Sequence, residues 1–126
     1  MIVAIIGSRD FDDFAIIYKS VRKLQAKYGT DLMLVSGGAT GADSIAEAAA
    51  SYFHVPIEVL PADWEGQGKA AGPIRNTKVV HRADQVIAFF SPGRRSPGTT
   101  DAVKKAYAAN KPTFVYQAER WETFKG

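Results

Sequence analysis

The sequence predicts a three-layer α/β domain built on a mostly parallel five-stranded sheet in the order 3-2-1-4-5. Three observations predict it. Short β-branched apolar runs alternate with segments whose apolar residues recur every three or four positions. The runs are almost continuously apolar, as suits strands covered on both faces. Several of them end directly in loops of glycine, hydroxyl and arginine residues.

Residues 1–6 read as a buried strand that stops at Gly7. Asp12 or Asp13 caps the next helix, where Phe14, Ile17, Val21, Leu24 and Tyr28 make one apolar stripe and Gly29 supplies the end. Residues 32–35 are the second strand. The following helix runs from about 41 to 53, with Ile45, Ala49, Tyr52 and Phe53 on one side. Residues 55–60 form the third strand, which tolerates Pro56 at its start. A polar loop with Trp64 covers 61–72, and Pro73 fits the first turn of a helix that reaches about Arg82. Residues 85–90 are the fourth strand and 91–98 a second flexible loop. Thr99 or Thr100 caps a helix to about Asn110, which Lys111-Pro112 closes. Residues 113–116 are the fifth strand, and Trp121 and Phe124 pack back as a short helix. Right-handed crossovers then set strands one and four side by side, at the point where open sheets of this kind bind ligands.

Bulk properties narrow the function. The 126 residues, 46% hydrophobic and 23% charged, suit one globular domain over 1–126. The absence of cysteine excludes a disulfide framework, a thiolate zinc site and a cysteine nucleophile. No apolar run approaches the ~20 residues of a membrane helix, and residues 1–6 lack a basic leader, so a cytoplasmic protein is expected. His54 and His81 have no metal-ligand spacing, and neither a metal nor a cofactor is expected. The net charge of +3 suits an anionic small ligand and permits weak nucleic-acid contact without requiring it.

Four segments carry candidate chemistry. The first is Ser36, Gly37, Gly38, Ala39, Thr40, Gly41, Ala42 and Asp43, between a strand and a helix. Its glycines permit positive φ and close approach, and the N–H groups near Gly41 and Ala42 favour an anion. The spacing is neither that of a dinucleotide fingerprint nor that of a Walker loop. Asp43 either interacts with the helix dipole or accepts from a ribose hydroxyl. The second is Gly7, Ser8 and Arg9, whose guanidinium suits phosphate. The third is Arg75 and Asn76, near a helix N-terminus and within reach of a phosphate or a base edge. The fourth is Gly98, Thr99, Thr100 and Asp101, another phosphate cradle or an ordinary N-cap, with Arg94 and Arg95 adding positive potential. In a parallel sheet the strand-end loops converge. Trp64 either stacks on a base or packs at the foot of its loop.

Together these segments resemble the SLOG superfamily, the Rossmann-like group that contains the DprA/Smf proteins and the LOG nucleotide phosphoribohydrolases. The segments GSRDF, SGGAxGAD, PADW and RN are similar to its small YspA-like branch, and the resemblance covers about residues 2–116. It implies a pocket for a nucleotide or an ADP-ribose-like ligand, a sensor or binding role, and a homo-oligomer. It also implies two alternatives, N-glycosidic hydrolysis or single-stranded nucleic-acid binding. The mild charge and the lack of an aromatic-plus-basic stripe argue against nucleic acid. LOG hydrolases resemble P-G-G-x-G-T-x-x-E, and Ala102 stands where that glutamate would be. Asp101 is one position away, ~100° around a helix. If there is catalysis, Asp101 or Asp43 is its carboxylate.

Overall fold

The structure is a computed structural model and describes residues 1–93 and 95–126. One mixed sheet has the order β3-β2-β1-β4-β5-β6. Its strands are β1 (Ile2–Gly7), β2 (Met33–Ser36), β3 (Ile57–Val59), β4 (Gln85–Phe89), β5 (Thr113–Gln117) and β6 (Arg120–Thr123). The first five pair in parallel, in the predicted order.

The expected count of five strands is corrected to six. Residues 120–123 pair antiparallel with β5, in the tail expected to be helical. Ala118 and Glu119 both take positive φ, 51° and 62°, which lets the chain reverse in two residues. Trp121 and Phe124 do pack back. Trp121 lies 5.1 Å from Tyr116 and 5.6 Å from Phe89, and Phe124 lies 5.5 Å from Tyr107, between ring centroids.

Alternation along the strands creates two cores. Val3 and Ile5 face α1 (Phe14–Tyr28) and α2 (Ala42–Phe53), with Ile17, Val21, Leu34, Ala46 and Phe89. Ala4 and Ile6 face α4 (Ala71–Arg82) and α5 (Pro97–Ala108), with Val35, Val79, Val86 and Val103. Complete burial of such side chains contributes about 1.5–3 kcal/mol each. The stripes are narrower than predicted: Phe14 and Tyr52, 60% and 70% exposed, sit outside both cores.

Helix ends follow local chemistry. Asp13 caps α1 by accepting from Ile16 N, and Gly29 ends it at φ 58°. Lys111 Nζ donates to the carbonyls of Val80, His81 and Ala83, which holds the end of α4 to the start of β5. Two expectations are corrected. The loop 61–72 contains a helical turn, α3 (Trp64–Gln67), and a 3-10 turn (Gly68–Ala70), because Asp63 caps the first by accepting from Gly66 N. Helix α5 starts before Thr99 and Thr100: Ser96 occupies the N-cap and Pro97 the first helical position, where its missing N–H costs nothing.

Candidate functional site

A cleft of about 720 Å³ opens at the carboxyl end of β1, between the loop after β2, α4 and the start of α5. Gly7, Ser8 and Arg9 continue β1 into it, Gly37, Ala39 and Asp43 come from the loop after β2, Arg75 and Asn76 from α4, and Gly98, Thr99 and Asp101 from α5. The predicted segments therefore share one cavity. Trp64, Gly72, Pro73, Arg95 and Ser96 complete much of its rim. Arg94 lies outside the described residues.

Each wall is set by backbone geometry. At Gly7 a Cβ would overlap the Phe89 carbonyl oxygen and the Ala42 methyl group, so only glycine lets β1 lie this close to β4 and α2. Ser8 is buried; its Oγ accepts from Ser91 N at 3.1 Å and its carbonyl accepts from Ala42 N at 3.2 Å. Gly41 has φ 74° and backs directly onto the Ser8 and Arg9 carbonyls.

Five predicted residues fall outside the cleft lining: Ser36, Gly38, Gly41, Ala42 and Thr100. Ser36 is fully buried, donating to Glu47 and accepting from Gly38 N. Gly38 packs on Val59 and Pro61. At the start of α2, two backbone donors are engaged within the chain. Ala42 N is taken by the Ser8 carbonyl and Ala39 N donates to Asp43 Oδ2 at 3.2 Å, so these donors meet acceptors of the chain itself. From this loop Gly37, Ala39 and Asp43 line the cleft.

Asp43 is 4% exposed. Burial pushes its carboxyl from 3.8 up to about 6, against the Ala39 N–H and the Arg75 guanidinium, while Glu47 pushes it further upward. Arg75 donates through Nη1 to the Gly37 carbonyl at 2.6 Å and through Nε to Asn76 Oδ1 at 3.0 Å. Burial lowers its proton affinity below the usual guanidinium value, Asp43 opposes that, and Arg9 adds to it. Asn76 is buried and donates from Nδ2 to the Gly98 carbonyl and to Asp101 Oδ2, at 3.0 and 3.1 Å. Asp101 also pairs with Lys105 at 2.9 Å. Ser96 Oγ donates to Thr99 Oγ1 and makes no cap bond to the α5 backbone.

The cleft is thus bipolar. Arg9, Arg75 and Arg95 supply donors suited to phosphate, and Asp10, Asp43 and Asp101 supply carboxylates suited to hydroxyls. Asp10 Oδ1 accepts from Ser91 Oγ at 2.7 Å, which fixes it beside Ser8. Ala102 is buried at the cleft floor and has no acid–base chemistry. The Arg9 guanidinium lies 5.6 Å from the Trp64 ring centroid. Among the described residues no helix is long and apolar enough to cross a membrane.

Comparison with known proteins adds to this picture. A family model described as "YAcAr: YspA, cpYpsA-related SLOG family" matches residues 1–66. The chain is 37% identical to the gene 61 protein of Mycobacterium phage D29 over 119 residues, 90% of this chain and 94% of that protein. Two solved structures share the fold. DNA processing protein A from Helicobacter pylori, described for its single-stranded DNA binding mode, has a TM-score of 0.67 and 22% identity, over 91% of this chain and 64% of that one. DNA processing protein A (DprA) from Streptococcus pneumoniae has a TM-score of 0.70 and 23% identity, over 90% of this chain and 49% of that one. This chain therefore spans less than two thirds of either.

Proposed function

The chain belongs to the YspA, cpYpsA-related SLOG family, and from that premise we propose that its cleft binds a nucleotide or a nucleotide-derived, ADP-ribose-like ligand, as a sensor or binding module. The observation that carries the reading is the bipolar cleft: arginines and a buried carboxylate face one cavity at the carboxyl end of the central strand β1. In this reading Arg9, with Gly98 and Thr99 at the start of α5, takes the phosphate. Asp43 takes a ribose hydroxyl, and Arg75 and Asn76 hold Asp43 and Asp101 in place. Gly7, Ser8 and Gly37 shape the cavity.

The test is ligand-dependent stabilisation. A ligand at 100 times its Kd adds about 2.7 kcal/mol to the folded state. Thermal unfolding with adenosine 5′-monophosphate and with ADP-ribose is expected to shift upward by several degrees. A flat response to every nucleotide and ADP-ribose derivative tried would remove the reading.

A second reading has one observation in its favour. A carboxyl whose pKa sits at about 6 is matched to proton transfer near neutral pH. If the cleft cleaves an N-glycosidic bond, Asp43 is the better acid–base candidate, because Asp101 is held by Asn76 and Lys105. Release of free base that vanishes in Asp43→Asn but persists in Asp101→Asn would replace a binding role with a hydrolytic one.

The shared fold with the Helicobacter pylori protein keeps single-stranded nucleic acid in view, against the expectation drawn from charge. A gel shift whose affinity falls steeply with salt would establish it.

A further inference from the structure

Seven large hydrophobic side chains are exposed among the described residues, and only one of them, Trp64, lines the cleft. It is 49% exposed. It is an exposed aromatic ring on the border of a ligand-sized cavity, and such rings are surfaces on which nucleobases stack.

The surrounding geometry presents the ring to the cavity. Neither α3 nor the 3-10 turn after it buries a residue, so core packing does not explain where this segment lies. Local bonds do. Asp63 Oδ1 accepts from Gly66 N at 3.0 Å, and a Cβ at Gly66 would overlap that carboxylate. The far edge of the indole rests on Gly72, where an added Cβ would come within 3.1 Å of it. Over one face of the ring lies the planar, cationic Arg9 guanidinium. Planar indole and planar guanidinium are the two side-chain surfaces on which nucleobases stack most readily.

We propose that Trp64 is the platform on which the base of the ligand stacks, so that the cleft selects a base-bearing nucleotide over a bare sugar phosphate. This rests on the nucleotide reading above and adds its specificity. Arginine and carboxylate groups recognise the phosphate and sugar, which both kinds of ligand possess. Trp64, with Arg9 over it, offers the base a face that a sugar phosphate cannot use.

The experiment uses the full chain carrying Trp121→Phe, which leaves Trp64 as its only tryptophan. Adenosine 5′-monophosphate and ribose 5-phosphate are titrated by tryptophan fluorescence and by calorimetry. The expected result is quenching of Trp64 by the nucleotide and none by the sugar phosphate, with the nucleotide bound about tenfold or more tighter. Trp64→Leu, which keeps apolar bulk and removes the aromatic face, is expected to lose about tenfold in nucleotide affinity and leave ribose 5-phosphate within about twofold. Trp64→Phe restores most of the nucleotide affinity. Unchanged nucleotide binding in Trp64→Leu overturns the stacking role and leaves the nucleotide reading standing. Equal loss of both probes also overturns it, by showing that Trp64 only supports the wall. A parent protein that binds neither probe overturns the stacking proposal, and the nucleotide reading falls with it only if ADP-ribose also leaves thermal unfolding unchanged.

Discussion

Asp43→Asn is expected to make the protein more stable at neutral pH. The Asp43 carboxyl is buried, and its pKa rises from 3.8 to about 6 even with Arg75 opposing the rise. Its proton is therefore held more tightly in the folded chain than in the unfolded one. The stability this contributes is complete below about pH 4 and is lost as the pH rises through about 6. At pH 7.5 the ionised group costs up to about 3 kcal/mol relative to its neutral form. Asparagine keeps an oxygen to accept from Ala39 N and carries no charge. Urea unfolding at pH 7.5 should show the variant more stable by on the order of 2–3 kcal/mol, with the difference closing near pH 4. A variant less stable than the parent at pH 7.5 would show that pairing with Arg75 outweighs burial. A carboxylate that costs stability at the rim of a cleft fits the ligand-binding role proposed for Asp43.

Gly41→Ala is expected to abolish folding or come close to it. Two independent penalties meet there. At φ 74° an L-residue is strained, and the new methyl group would overlap the carbonyl oxygens of Ser8 and Arg9. Those are backbone atoms that anchor the start of α2 and the turn after β1, so neither moves aside cheaply. The combined loss is expected to exceed about 3 kcal/mol, a large share of the ~5–15 kcal/mol that holds a domain together. The checks are soluble yield and thermal unfolding beside Gly98→Ala, whose Cβ would meet nothing within 4 Å and which should behave nearly as the parent does. Equal stability of the two alanine variants would refute the close approach at Gly41.

These two positions show where the sequence was readable. Strand order followed from apolar runs such as 1–6 and 85–90 and from helix signals such as Asp13 and Gly29, all of them local. Strand β6 was not legible, because Ala118 and Glu119 make its turn without the Asn-Gly or Asp-Gly signature and its four residues are exposed. The start of α5 is written in Ser96-Pro97, a cap followed by a first-turn proline, and Thr99-Thr100 mimic the same signal three residues further on. In the cleft, residue types announced Arg9, Asp43, Arg75 and Asn76. What they could not announce was that Gly41 backs onto the Ser8–Arg9 backbone of the neighbouring loop, a close approach that itself requires glycine. Trp64 enters the rim through a short capped turn, signalled only by Asp63 and Gly66.

The central position of β1 has a consequence for how the cleft comes into being. One of its flanks closes through contacts such as Thr40 to Arg9, 31 residues apart, and the other through Ser91 to Ser8, 83 residues apart. Loop-closure entropy grows only with the logarithm of length, so the longer connection costs about 0.9 kcal/mol more than the shorter. The penalty is therefore small at equilibrium and falls mainly on the order of events, since distant pairings are the slower ones. A nascent chain that has released residues 1 to 67 already holds Arg9, Asp43 and Trp64, yet it has no cavity. The second wall exists only after β4 has joined β1, so an occupied cleft attests that the two halves of the chain have met.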